Sequence, residues 1–160
     1  MNPFTEYEPL LGQGFHELSL KQLEVICVSN FPNSETRLTI FNNIKGLFSK
    51  IEEQKLSLEI WLNGSFLTKK LNPNDCDLVT RIPQKIYEGC NNTQLDLLNK
   101  IKNNLKKELL CDSYLYIVYP HYHTDVKLND LHYNYWKDLF GKCRNRQPKG
   151  IGIYKTSPKL

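Results

Sequence analysis

Apolar and polar positions divide the chain into helical and strand-like stretches. Ser19-Leu20-Lys21-Gln22 has the form of a capping box and predicts a first helix that ends near the break at residues 29–32. Leu38, Phe41, Ile44, Phe48 and Ile51 recur at helical spacing, so a longer helix is expected over residues 34–54 with that stripe in the core. Leu56, Leu58, Ile60 and Leu62 then alternate with Ser57, Glu59, Trp61 and Asn63, the period of two that marks a strand, and the pattern stops at Asn63-Gly64. A polar connection over residues 65–74 leads to a second strand at 75–81, closed by Pro83. Leu95, Leu98, Ile101, Leu105 and Leu109 mark a third helix. Strand-like stretches at 114–119 and 123–128 flank Pro120, a helix is expected over 131–140, and a final strand at 151–154. Helices and strands so intermixed predict an α/β or α+β domain, a mixed central sheet covered by helices.

No repeat, low-complexity stretch or flexible linker divides the 160 residues, so a single domain over 1–160 is expected. The longest apolar run, residues 114–119, is far short of the ~20 residues that span a bilayer. The first residues carry neither a basic start nor an apolar core, so no secretory signal is expected and a cytoplasmic setting is the natural one. Cys27, Cys76, Cys90, Cys111 and Cys143 are odd in number and lack a C-x-x-C pair, which suits neither a disulfide framework nor a zinc knuckle.

Charge changes the picture locally. The formal net charge is +4, yet the segment 141–160 carries Lys142, Arg144, Arg146, Lys149, Lys155 and Lys159 with no Asp or Glu, which leaves residues 1–140 at −2. Such a basic segment can attract phosphate.

The candidate chemistry lies in residues 60–79. Gly64-Ser65 ends one predicted strand and Asp75-Cys76-Asp77 opens the next. Residues i and i+2 of a strand share a face, so both carboxylates would stand side by side and need a counter-cation; Mg²⁺ suits them because it is hard and bridges carboxylates to substrate phosphates. Glycine lets a phosphate approach the backbone, the Ser65 hydroxyl can donate to it, and Lys69 and Lys70 add positive charge. Cys76 should face the opposite side as a core thiol. Trp61 is expected to pack beneath a helix, and Asn63 and Asn74, which could orient ligands or serve the turns for backbone reasons, are left out of the catalytic set.

A hydrophobic residue, Gly64-Ser65, a nine-residue spacer and Asp75-x-Asp77 together resemble the signature of the nucleotidyltransferase superfamily typified by DNA polymerase beta. The wider run from Trp61 through Phe66, Pro73-Asn74 and Asp77, with Pro148-Lys149-Gly150-Ile151 further on, is similar to a small prokaryotic group within it. The resemblance implies a nucleotidyltransferase fold and a metal-dependent transfer of a nucleoside monophosphate from an NTP, such as ATP, to a hydroxyl of RNA (tRNA, for example) or protein. It implies that Asp75 and Asp77 bind Mg²⁺ or Mn²⁺, and that a third carboxylate, best matched by Asp125, helps hold the metal and deprotonate the acceptor. Gly64, Ser65, Lys69 and Lys70 would bind the nucleotide, and Arg144, Arg146 and Lys149 would contact phosphate or acceptor. Small members often act in toxin–antitoxin or anti-phage systems, which implies a cognate toxin or antitoxin partner and no membrane.

Two alternatives keep the fold: a non-catalytic nucleotide- or partner-binding module, and a synthase of a nucleotide messenger. A third departs from it, because His121, His123 and Asp125 would share one strand face and two histidines with a carboxylate can bind zinc. Val126 stands where the related hydrolase motif needs a further histidine, which weighs against that reading. Gly12-Gln13-Gly14 lacks the third glycine of a dinucleotide fingerprint, and there is no phosphate-loop lysine motif.

Overall fold

The computed structural model describes residues 6–158, so Lys159 and most of the N-terminal stretch behind the no-signal expectation lie outside the described residues. Five strands form one mixed sheet in the order β1-β5-β2-β3-β4. They are β1 (Gly14–Glu17), β2 (Glu59–Asn63), β3 (Cys76–Pro83), β4 (Cys111–Val118) and β5 (Gly150–Lys155). β1 runs parallel to β5 and β3 parallel to β4, while β2 is antiparallel to both β3 and β5.

Six α-helices accompany the sheet among the described residues: α1 (Leu20–Glu24), α2 (Arg37–Glu53), α3 (Gln84–Glu88), α4 (Asn92–Lys102), α5 (Lys106–Leu109) and α6 (Lys127–Phe140). The Ser19 capping box is present, with the Ser19 hydroxyl accepting from Gln22 N and the Gln22 side chain accepting from Ser19 N. α1 runs on into a single π-turn segment, Val25–Ser29. The expected third helix is two: Asn104 takes a left-handed conformation (φ 80°) and separates α4 from α5. The strand expected at 123–128 does not form. His123 N donates to Pro120 O and Val126 N to His123 O, a chain of turns that runs directly into α6.

Alternation along the strands gives the sheet two unlike faces. Ile60, Leu62, Cys76, Leu78, Ile82 and Cys111 join Phe41, Ile44, Phe48 and Ile51 of α2 in the main core, whereas Leu38, expected in the same stripe, lies in the first turn of α2 with 54% of its surface exposed. Trp61, Val79, Tyr116, Phe140 and Ile151 form a smaller cluster on the other face, beneath α6. Trp61 lies 5.4 Å from Tyr133 of α6, edge to face, and its Nε1 donates to Glu59 Oε1 at 2.7 Å.

The connection over residues 65–74 is held by Arg37, the first residue of α2, whose side chain is fully buried. Its Nη1 donates to the carbonyls of Cys27 (3.0 Å) and Phe66 (2.7 Å), and its Nη2 to those of Thr68 and Lys70, both at 2.5 Å. Nε reaches Lys70 O at 3.2 Å, and the guanidinium lies 3.8 Å from the Phe31 ring centroid. Burial lowers its pKa, but arginine remains charged, so the carbonyl dipoles stand in for its water. Asn72 Oδ1 completes the attachment by accepting from Ser34 Oγ and Glu35 N.

Arg37→Met should cost about 3 kcal/mol, because it strands several buried carbonyls at once, and Arg37→Lys should not restore the loss because an ammonium cannot span the same fork. Urea unfolding would measure this, and an unchanged midpoint would remove Arg37 as the clamp.

Candidate functional site

The strand register builds the site. Asn63 at the end of β2 stands opposite Asp77 on β3, and Asp77 stands opposite Asp112 on β4, so three polar side chains form a row across one end of the sheet. Asp75 precedes Asp77 by two residues and joins them in lining one cavity. Cys76, between the two, is fully buried on the opposite face.

Gly64 turns the chain out of β2 with φ 86° and ψ −168°, a conformation open essentially to glycine alone. A Cβ there would lie 2.8 Å from Asp77 Oδ2 and 3.1 Å from Asp77 N, so the missing side chain is what lets β2 close on Asp77. A short 3₁₀ turn, Ser65–Leu67, follows, with Leu67 N donating to Gly64 O at 3.2 Å. Asn63 fixes the turn from behind: its Oδ1 accepts from Gly64 N at 2.8 Å, and its Nδ2 donates to the carbonyls of Phe140 and Gly150.

Two lysines answer the carboxylates. Lys106 Nζ lies 2.8 Å from Asp75 Oδ2 and 3.8 Å from Asp112 Oδ2, bridging the two, and these contacts raise its pKa. Lys149 is almost wholly buried and donates from Nζ to Gly64 O at 3.1 Å; burial lowers its pKa. Burial, helped by the charges of Asp75 and Asp112, pushes Asp77 up to about 6 against the opposing pull of Lys149 and Lys106. Burial together with the neighbouring carboxylates thus outweighs the two lysines at Asp77.

The cavity measures about 720 Å³. Gly64, Ser65, Lys70, Arg144 and Lys149 border it together with the carboxylates, and Tyr114, Trp136, Leu139 and Phe140 form its apolar side.

Residues 2–153 match a family described as a family of unknown function, DUF6932. The chain belongs to that family. No curated protein and no solved structure matches it.

In this DUF6932 protein, several expected site residues lie elsewhere. Asp125 sits in the turns before α6 with its side chain 54% exposed; it pairs locally with His123 and does not border the cavity. The reason is that 123–128 is not a strand beside β3, and Asp112 occupies the position across from Asp77. Lys69 points away from the cavity and forms an ion pair with Glu8. Arg146 lies at the tip of a tight turn (φ 66°), where its N–H donates to Cys143 O at 2.8 Å, and does not border the cavity. Asp112 and Lys106 are the residues that sequence reasoning missed. The one available signal for Asp112 was the alternation Asp112, Tyr114, Tyr116, which extends the strand back beyond its apolar run.

The donor chemistry suits a hard divalent cation, since Asp75, Asp77 and Asp112 offer carboxylate oxygens alone. Among the described residues no three His, Cys, Asp or Glu side chains form a ready cage for a metal ion, and Lys106 stands between two of the carboxylates. The residues fit an open site, completed by ligand and water oxygens, rather than a closed one.

Gly64→Ala should destabilise the fold by about 1–3 kcal/mol through strain and the clash with Asp77, seen as a lower urea midpoint. In chelator-treated protein, folded Asp77 keeps a proton up to about pH 6, whereas the unfolded chain releases it near the ordinary aspartate value of 3.8. The stability contributed by this uptake is present at pH 4 and lost as pH rises through 6. Asp77→Asn should therefore exceed wild type in stability at pH 7, by on the order of 2 kcal/mol, with the gap closing toward pH 4. Urea midpoints of the two proteins across that range check the sign.

Proposed function

We propose that the chain is a divalent-cation-dependent nucleotidyltransferase, with the nucleotidyltransferase fold, that moves a nucleoside monophosphate from an NTP to a hydroxyl of RNA or protein. The observation that carries the reading is the close approach of the Gly64-Ser65 turn to Asp77, with Asp112 in register beside it and Asp75 in the same cavity. The Gly64-Ser65 turn and the carboxylate set share one cavity with Lys70, Lys106, Arg144 and Lys149, which supports a reading of the turn as a polyphosphate grip.

In this proposal Gly64 lets a phosphate settle against the backbone and Ser65 donates its hydroxyl to a phosphate oxygen. Lys149 holds the turn through Gly64 O, and its charge adds to the field that attracts a polyanion. Lys106 releases Asp75 and Asp112 and turns its ammonium toward the polyphosphate. Asp75, Asp77 and Asp112 would hold the divalent cation, which when bound supplies neutralisation of the charge that develops on the departing pyrophosphate. Asp112 accepts the proton of the attacking hydroxyl, the role first assigned to Asp125. A cytoplasmic setting and a partner in a toxin–antitoxin or antiviral pair belong to the same proposal.

One observation favours a binding-only module: Lys106 bridges Asp75 and Asp112 and so competes with a cation for two of the three carboxylates. Transfer of label from α-³²P NTPs to cell RNA and protein separates the two readings. Wild type should incorporate label with pyrophosphate release, Asp75→Ala/Asp77→Ala and Asp112→Asn should lose at least about a hundredfold, and Asp125→Asn should stay near wild type. Incorporation by the Asp75→Ala/Asp77→Ala variant equal to wild type would overturn the assignment.

A further inference from the structure

The cavity has two chemically distinct sides. One carries the carboxylates, lysines and the Gly64-Ser65 turn; the other is built by Tyr114 of β4 and by Trp136, Leu139 and Phe140 from the last turns of α6. Phe140 is buried and belongs to the small core cluster, but Tyr114 is 38% exposed and Leu139 54% exposed. The rings adjoin one another: Tyr114 and Trp136 have centroids 4.7 Å apart and planes tilted by 43°, and Trp136 meets Phe140 edge to face at 5.7 Å. Core packing accounts for Phe140 and for the part of Trp136 that rests against the small cluster, but not for Tyr114 and Leu139, which are left exposed beside the cavity.

We propose that Tyr114 and Trp136 form the platform on which the nucleobase of the bound NTP stacks, with Leu139 bordering it. The proposal rests on the nucleotidyltransferase reading and adds to it the residues that hold the ring. A ligand suited to both sides of the cavity must join a polyanion to a flat apolar ring, which is the chemistry of a nucleoside triphosphate. Tyr114 follows Asp112 by two residues on the same strand face, roughly 7 Å along the strand, so the platform begins within the reach of a nucleotide whose phosphates lie at the carboxylates. Stacking on such rings tolerates every base, so the platform provides affinity for the ring rather than choice among bases.

The test uses the full chain, Mg²⁺, each of the four ribonucleoside triphosphates, and inorganic tripolyphosphate. Trp61 is buried in the small core, so quenching of indole emission by ligand reports Trp136. NTPs should quench and bind at least roughly tenfold more tightly than tripolyphosphate, which should not quench. Trp136→Leu should lower NTP affinity roughly tenfold while leaving tripolyphosphate affinity unchanged, and Trp136→Phe, which keeps a ring, should retain most of the affinity. Tyr114→Leu, at a more exposed position, should weaken NTP binding in the same selective way. Equal binding of NTP and tripolyphosphate to wild type would overturn the platform while leaving the phosphate site standing. Equal weakening of both ligands in Trp136→Leu and Tyr114→Leu would overturn it as well, by assigning the rings a structural role. If neither ligand binds wild type, the nucleotidyltransferase reading itself fails and the platform falls with it.

Discussion

The Arg37 guanidinium is the constraint on which the candidate site depends. The chain between β2 and β3 must leave the sheet, present the Gly64-Ser65 turn and return at Asp75, and residues 66–71 do so by wrapping their carbonyls around one buried cation. Carbonyls turned inward would be costly without a donor, and a buried charge would be costly without dipoles around it. Each resolves the other's penalty. Because Arg37 is also the first residue of α2, the loop is referenced to the main core and not left to its own flexibility.

The sheet divides labour between its faces. Cys76, Leu78 and Ile82 build the large core while Asp77, Val79 and Arg81, one residue out of phase, face α6 and the cavity. A stable core on one side permits an unfavourable charge arrangement on the other. Asp77 illustrates the trade, since its ionised form is disfavoured by burial and by two neighbouring carboxylates. Functional sites often hold such strain, and a cationic ligand would relieve it.

Patterns set by a single element could be read from the chain. The Ser19 cap, the stripe of α2 from Phe41 onward and the alternation of β2 are local, and the structure has them within a few residues of the expected bounds, with Leu38 left outside the core. The features that were not legible depend on distant partners. Residues 123–128 alternate like a strand, but Asn129 bonds both Tyr119 N and Tyr119 O through its side chain and pins the start of α6 against the end of β4. β1 has four residues and exists through its pairing with β5, more than a hundred positions away. Within the site, Gly64, Ser65, Asp75 and Asp77 were legible because one short segment holds them all. Asp112 and Lys106 reach the cavity through sheet register and the α4–α5 break; local spacing hints only that Asp112 prolongs a strand, and it says nothing of Lys106.

The position of β5 carries a consequence for how the chain is made. It is the last strand in sequence among the described residues but lies inside the sheet, between β1 and β2. Until residues 150–155 leave the ribosome, β1 has no strand to join and one edge of β2 stays open, a ready template for pairing with another chain. Asn63 and Gly64 likewise lack the Gly150 carbonyl and the Lys149 ammonium until that moment. The Gly64-Ser65 turn therefore acquires its final shape only after residues 149–155 have emerged, and nascent chains halted short of this strand would carry the carboxylates without the contacts that set them.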